Sequence, residues 1–280
     1  MSGGPGFRED SNYFTAIYAL LGRSVAQLLR PPSHTRRSEA ARRLARHSLL
    51  ITAMLGLVVI ILMYVLDARE IGLMPPRQSP SLWPVRILTD FGKDAYVLSA
   101  LLALLVAVLL FSPLLSRTSR ARWLSFGMRV QYLLFAVLTP VLAGTLLKWT
   151  VGRGRPFVGG EANPFKFAPF AGTEAYASFP SSHAVTAWAL AFAVTAVWPR
   201  ARPAMIAYAL LITASRLVLL AHHPSDVVAG ALIGVIGAMS VRYWFAARRL
   251  GFAIHRDGKI VPLRKVSGGP KRVAGEPPAP

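Results

Sequence analysis

Long apolar blocks divided by short polar connections constrain this chain more than any other feature. Residues 48–66 and 95–115 carry no charge, and each is long enough to cross a hydrocarbon core about 30 Å thick. Residues 130–147 form a third block, 183–198 a fourth, 204–221 a fifth interrupted by Arg216, and 227–245 a sixth. The fourth and fifth are short, so each alone would suit a buried helix equally well. These blocks account for a composition that is 54% hydrophobic and only 16% charged, against about 45–50% and about 25% in ordinary soluble domains. The fold expected is all-α: a polytopic membrane bundle of six transmembrane helices. Gly230, Gly234 and Gly237 in the last block would let its backbone approach its neighbours closely.

The net charge of +20 invites a nucleic-acid reading, but its placement argues otherwise. With six spans, the large majority of the 32 lysines and arginines fall on one side. That is the cytoplasmic bias of membrane proteins, with attraction to anionic lipid heads added. Both termini are therefore expected in the cytoplasm, the 149–180 connection and the His222-His223 end on the outer face, and no nucleic-acid partner. Residues 1–47 read as a basic tail without a signal-peptide pattern. Within it Phe14, Ile17, Tyr18, Leu21, Val25 and Leu28 recur at helical spacing, as in an interfacial amphipathic helix. Residues 48–247 form the membrane domain. Within it, 67–94 combines Pro75, Pro76, Pro80 and Pro84 with Trp83, Ile87 and Phe91, suiting a short interfacial segment. Residues 248–280 form a second basic tail, expected to be disordered from Gly251 onward. With no cysteine in the chain, disulfides, thiolate metal sites and cysteine nucleophiles are excluded.

Three polar constellations interrupt this apolar background. Arg216 lies within membrane-grade sequence, where an arginine costs about 2.5–3.5 kcal/mol and needs compensation. A bound anion would supply it, with His222 acting on that anion and Asp226, four residues on, orienting the histidine. Lys148 to Pro156 places Lys148, Arg153 and Arg155 at the end of the third block. A cluster snorkelling to the interface would look the same. Phe179-Pro180-Ser181-Ser182-His183 opens the fourth block, where a serine cap and free backbone N–H groups attract anions. A lone histidine there would equally suit an interfacial structural role. A His222/His223/Asp226 metal site is the rival to phosphate chemistry. Adjacent histidines chelate one ion poorly and no second acid is near in sequence, so neither metal nor cofactor is expected.

Together the motifs K-x-x-x-x-x-x-R-P, P-S-x-H and S-R-x-x-x-x-x-H-x-x-x-D occur in that order, each at the same end of a helix. This resembles the type-2 phosphatidic acid phosphatase superfamily, which includes bacterial acid phosphatases and vanadium haloperoxidases. The resemblance covers 148–226 and the six-helix layout. It departs from the family at Ser182, where glycine is usual; a positive φ there would disfavour serine. The resemblance implies that Lys148, Arg155 and Arg216 neutralise phosphoryl oxygens, with Ser181 and the Ser182 N–H completing the cradle. His222 would attack phosphorus to form a phosphohistidine, Asp226 would hold its ring, and His183 would move the proton. Arg153 is not selected by the spacing: it could assist at the site or simply face lipid heads. The implied substrate is a membrane lipid phosphate: undecaprenyl diphosphate, phosphatidic acid, phosphatidylglycerol phosphate or a lipid A phosphate. Phe157, Phe165, Phe167, Phe170, Tyr176 and Phe179 would rim such a site with apolar surface. A lipid phosphotransferase and a non-enzymatic anion or lipid transporter are the alternatives. The expected location is the inner (plasma) membrane, with the site on the extracytoplasmic face.

Overall fold

The computed structural model describes residues 7–75, 79–156, 158–159, 163–255 and 260–263. Nine helices are described: α1 (Phe7–Leu29), α2 (His34–Val65), α3 (Asp67–Leu73), α4 (Trp83–Asp90), α5 (Asp94–Phe111), α6 (Arg117–Val151), α7 (Ser182–Val197), α8 (Arg202–Val218) and α9 (Pro224–Ala247). A small antiparallel hairpin follows, β1 (Phe252–Ile254) with β2 (Ile260–Pro262). Among the described residues, five stretches are long and apolar enough to cross a membrane: His34–Val65, Pro80–Leu114, Arg117–Val151, Pro199–Val218 and Pro224–Ala247. The fourth expected block forms α7, which at 16 residues is shorter than these.

Helix α9 is the axis of the bundle and packs against α7, α2 and α6. Its small residues permit this. A Cβ added at Gly230 would sit 2.6 Å from the Ser181 carbonyl oxygen, and one at Gly234 would sit 2.5 Å from that of Val185. On α7 the matching surface is alanine-rich, with Ala184, Ala187, Ala189 and Ala193 fully buried. The close helix approach expected from the glycines is therefore present, and it draws the start of α7 against the start of α9. Val130, Tyr132, Val137, Val185, Ala189 and Phe245 form the main core. Large apolar side chains such as Leu57, Leu102, Leu142 and Leu210 point outward, an apolar exterior of the kind that lipid covers.

Two features differ from expectation, the arginine run and the segment after Gly251. The arginine run 36–46 belongs to α2 rather than to a tail. Ala40 is buried there among Met239, Tyr243 and Ala247, and His47 Nδ1 bonds Tyr243 at 2.9 Å. The 67–94 connection contains two short helices, with Trp83, Ile87 and Phe91 exposed; Pro76 lies outside the described residues. The segment after Gly251 was expected to be disordered, yet β1 (Phe252–Ile254) and β2 (Ile260–Pro262) pair within it; 256–259 lie outside the described residues. Phe252 anchors the pair, buried edge-on against Tyr132 at 4.7 Å between ring centroids. The remainder of that tail, 264–280, lies outside the described residues, as do residues 1–6.

Candidate active site

The site forms where the ends of α6, α7 and α8 meet the start of α9. Helix α6 ends at Gly152, whose φ of 57° closes the helix with its N–H on the Lys148 carbonyl. Only glycine fits: a Cβ would lie 1.9 Å from the Ala168 oxygen. The chain then runs as an extended segment, with Arg153 paired to Phe167 and the Gly154 N–H on the Lys166 carbonyl at 2.8 Å. This turn separates Arg153 from Arg155 by direction. Arg153 goes inward and is fully buried, while Arg155 goes toward the 174–176 turn, its Nη2 2.7 Å from Glu174 Oε2 and its Nε donating to the Glu174 carbonyl.

His222 is 2% exposed and lies in the turn between α8 and α9. Its Nδ1 is 2.8 Å from the Ser178 carbonyl oxygen. A carbonyl can only accept, so Nδ1 carries the hydrogen and the Nε2 lone pair is left for chemistry. Burial, and then Arg216, Lys148 and Arg155, hold this imidazole well below its ordinary pKa, with the Ser178 carbonyl opposing them. The three cations named by the motifs thus converge electrically on one neutral ring. His183, in the first turn of α7, sits in the field of Arg216 and Lys148, and its Nε2 is buried without a partner.

Arg216 is buried near the end of α8 and donates from Nη1 to Thr89 Oγ1 at 2.9 Å, while its Nε has no partner. Ser181 is fully buried; its N–H is bound to the Asp226 carbonyl at 3.1 Å and its hydroxyl is unpartnered. Ser182 begins α7, and among the described residues the non-glycine positions with positive φ are Phe170, Leu220 and Arg249. The usual glycine position therefore carries serine in an ordinary helical backbone. Neither serine caps α7 through its side chain.

Two expectations are corrected. Asp226 does not hold the His222 ring. His222 precedes α9, so the four-residue spacing to Asp226 is not a helical one. Asp226 Oδ1 accepts from Arg153 at 2.6 Å, and Oδ2 accepts from the Ser178 hydroxyl at 2.6 Å and the His223 N–H at 2.9 Å. Its hold on His222 is indirect, through Ser178. Arg153 does not face lipid heads: it bonds Asp67, Asp226, the Ser225 hydroxyl and the Pro164 carbonyl, with no exposed surface. His223 is the N-cap residue of α9, with its backbone N–H on Asp226 Oδ2, and Asp226 is engaged by Arg153. No metal-ligating cluster of three or more His, Cys, Asp or Glu occurs among the described residues.

Asp67, Thr89, Ser178 and Ser225 were not anticipated. Asp67 had a signal, as an acid directly after an uncharged apolar block. Ser178 had none, because its carbonyl does the work. Phe165, Phe167 and Phe170 stand exposed on the loop beside the site, and Tyr176 and Phe179 are half-buried. Phe157 lies outside the described residues.

The family model described as the PAP2 superfamily matches residues 129–250. A lipid A 1-phosphatase of Rhizobium johnstonii is 35% identical over 173 residues, 61% of this chain and 71% of that protein. A lipid A 1-phosphatase of Rhizobium etli is 33% identical over 179 residues, covering 61% and 75%. No solved structure matches the chain. The motif residues gathered at the α6–α9 ends and these two relatives lead to one conclusion: the chain is a phosphatase and belongs to the PAP2 superfamily.

Proposed function

We propose that this protein is a membrane lipid phosphatase that removes phosphate from a lipid head group through a phosphohistidine at His222, without a metal. The observation that carries the reading is the convergence of Lys148, Arg155 and Arg216 on an imidazole whose Nδ1 is held by the Ser178 carbonyl. Charge already in place around phosphorus is a large catalytic term, because it need not reorganise as the transition state forms. The His222 Nε2 lone pair attacks phosphorus while the bond to the lipid oxygen breaks, and His183 donates a proton to that oxygen. Water then attacks phosphorus, the P–N bond breaks, His183 takes the water proton, and inorganic phosphate leaves. Ser181, with its unpartnered hydroxyl, and the Ser182 N–H at the start of α7 complete the cradle.

The substrate we favour is the glycosyl 1-phosphate of a lipid A-like molecule. The support is the name carried by both relatives, each covered over more than two thirds of its length. Undecaprenyl diphosphate, phosphatidic acid and phosphatidylglycerol phosphate are the comparison substrates. The excess of basic residues on one set of connections supports an inner-membrane orientation with this site extracytoplasmic. Phosphate release from the four purified lipids, in detergent with EDTA, tests the proposal. We expect fastest turnover on the lipid A phosphate and inhibition by orthovanadate. Rapid quenching with labelled substrate should place phosphate on His222, and His222→Ala should abolish turnover while His223→Asn retains it. A strict need for divalent metal would overturn the mechanism, and transfer of the label to an acceptor lipid rather than water would make the enzyme a transferase.

A further inference from the structure

We propose that Asp67 is a positioning residue for His222, a role that rests on reading His222 as the nucleophile. Asp67 is the first residue of α3, directly after α2, and lies outside the residues 129–250 matched by the family model. Its carboxylate has no exposed surface. Oδ2 accepts from Arg153 Nη2 at 2.8 Å and from the Ser225 hydroxyl at 2.5 Å, and Oδ1 accepts from the Ser225 N–H at 3.0 Å. Arg153 turns its other terminal nitrogen to Asp226 at 2.6 Å. Asp226 receives the Ser178 hydroxyl at 2.6 Å, and the Ser178 carbonyl receives the His222 ring N–H at 2.8 Å. The Ser178 N–H is itself bound to the Arg153 carbonyl at 3.0 Å.

This is a continuous chain of hydrogen bonds from α3 to the reactive ring. A guanidinium forks between two carboxylates, and a planar fork fixes both in direction as well as distance. Without Asp67, Arg153 keeps a single carboxylate partner and can swing about it. Asp226 then no longer pins Ser178, and the acceptor that sets the His222 tautomer drifts. The consequence is a smaller reactive fraction of imidazole, with the phosphate-binding cations untouched. Outer-shell groups that orient a metal-bound histidine are worth roughly 10- to 100-fold in activity, and we expect the same scale for this ring.

The test is Asp67→Asn in the full-length enzyme, which keeps the shape and removes the charge. We expect kcat to fall about 10- to 100-fold with KM within about twofold, and the pre-steady-state burst of phosphohistidine on His222 to slow in proportion. The acid limb of kcat/KM should move as well, since the ring's hydrogen-bond acceptor has been loosened. Asp67→Asn and Arg153→Gln combined should cost no more than the worse of the two alone, because they break the same chain. A burst of wild-type speed on His222 in Asp67→Asn, or additive losses in the double variant, overturns the proposal while leaving the nucleophile assignment intact. Label on another residue in the wild-type enzyme overturns both. Should Asp67→Asn not fold, Ser225→Ala removes only the hydroxyl bridging Asp67 and Arg153. There a several-fold loss in kcat is expected, and an unchanged kcat overturns the proposal.

Discussion

With His222 as the nucleophile we propose, a single hydrogen bond to a backbone carbonyl decides which ring nitrogen reacts. Because burial and three cations hold this imidazole below its ordinary pKa, it stays neutral where a free histidine is protonated. A nucleophile must be unprotonated, so its activity is present above its pKa and is lost as pH falls through it. We expect the acid limb of kcat/KM, corrected for ionisation of the substrate, to have its midpoint well below the usual imidazole value of about 6.5. A midpoint at or above that value would show that His222 does not limit the acid side. His183 answers to a different measurement. His183→Ala should slow an alkyl phosphate far more than p-nitrophenyl phosphate, whose leaving group departs without a proton. Equal losses on the two substrates would remove His183 as the general acid.

Among the elements, α3 carries the least comfortable side chain described. Glu70 is 3% exposed, and neither of its carboxyl oxygens has a partner. Burial first, and then Asp67 and Asp226, raise its pKa to about 8. A carboxyl whose pKa is raised on folding binds a proton more tightly in the native state. Stability therefore falls as pH rises from the unfolded value of 4.5 to about 8. Glu70→Met, similar in length and apolar, should raise the thermal midpoint at pH 9, by the equivalent of about 1–3 kcal/mol for an unsatisfied buried group. The gain should shrink toward acid; a gain independent of pH would show that the charge is not the cause. Gly152→Ala at the end of α6 should go the other way. It costs about 1–2 kcal/mol for the left-handed backbone alone, before the clash with the Ala168 oxygen, and should show as a lower yield of folded protein. What was legible in the sequence divides along the same line. The helices were legible because uncharged apolar runs have one cheap conformation in lipid. Lys148, Arg155, His183, Arg216 and His222 were singled out by motif spacing and the family resemblance, and the structure brings them to the same helix ends; their roles rest on the proposed reading. The Arg153–Asp67–Asp226 clamp was not, since it joins α3 to α9 across a distance that no local spacing encodes. The pairing of β1 with β2 escaped for a similar reason: Phe252 docks on Tyr132 in a stretch whose own composition argues for disorder.

The whole molecule is built from helices of unequal length, and the shortest apolar one sets how deep the chemistry lies. Helix α7 has 16 residues, a rise of about 24 Å, against a hydrocarbon core of about 30 Å. At its far end Trp198 is half-exposed beside the Arg129 guanidinium, 5.9 Å from its ring, and Arg200 and Arg202 follow. Aromatic and basic residues of this kind fix a helix end at the membrane surface. On the proposed reading, with that end fixed at one surface, the Ser181–His183 end lies about 6 Å short of the opposite one, so the site is recessed within the bundle. We expect turnover to be faster in vesicles of dimyristoyl than of dierucoyl phosphatidylcholine, both fluid, with KM in surface units carrying the difference; a rate indifferent to acyl length would refute it. The reacting phosphate then sinks below the plane of its neighbours' head groups while its lipid tails remain among theirs.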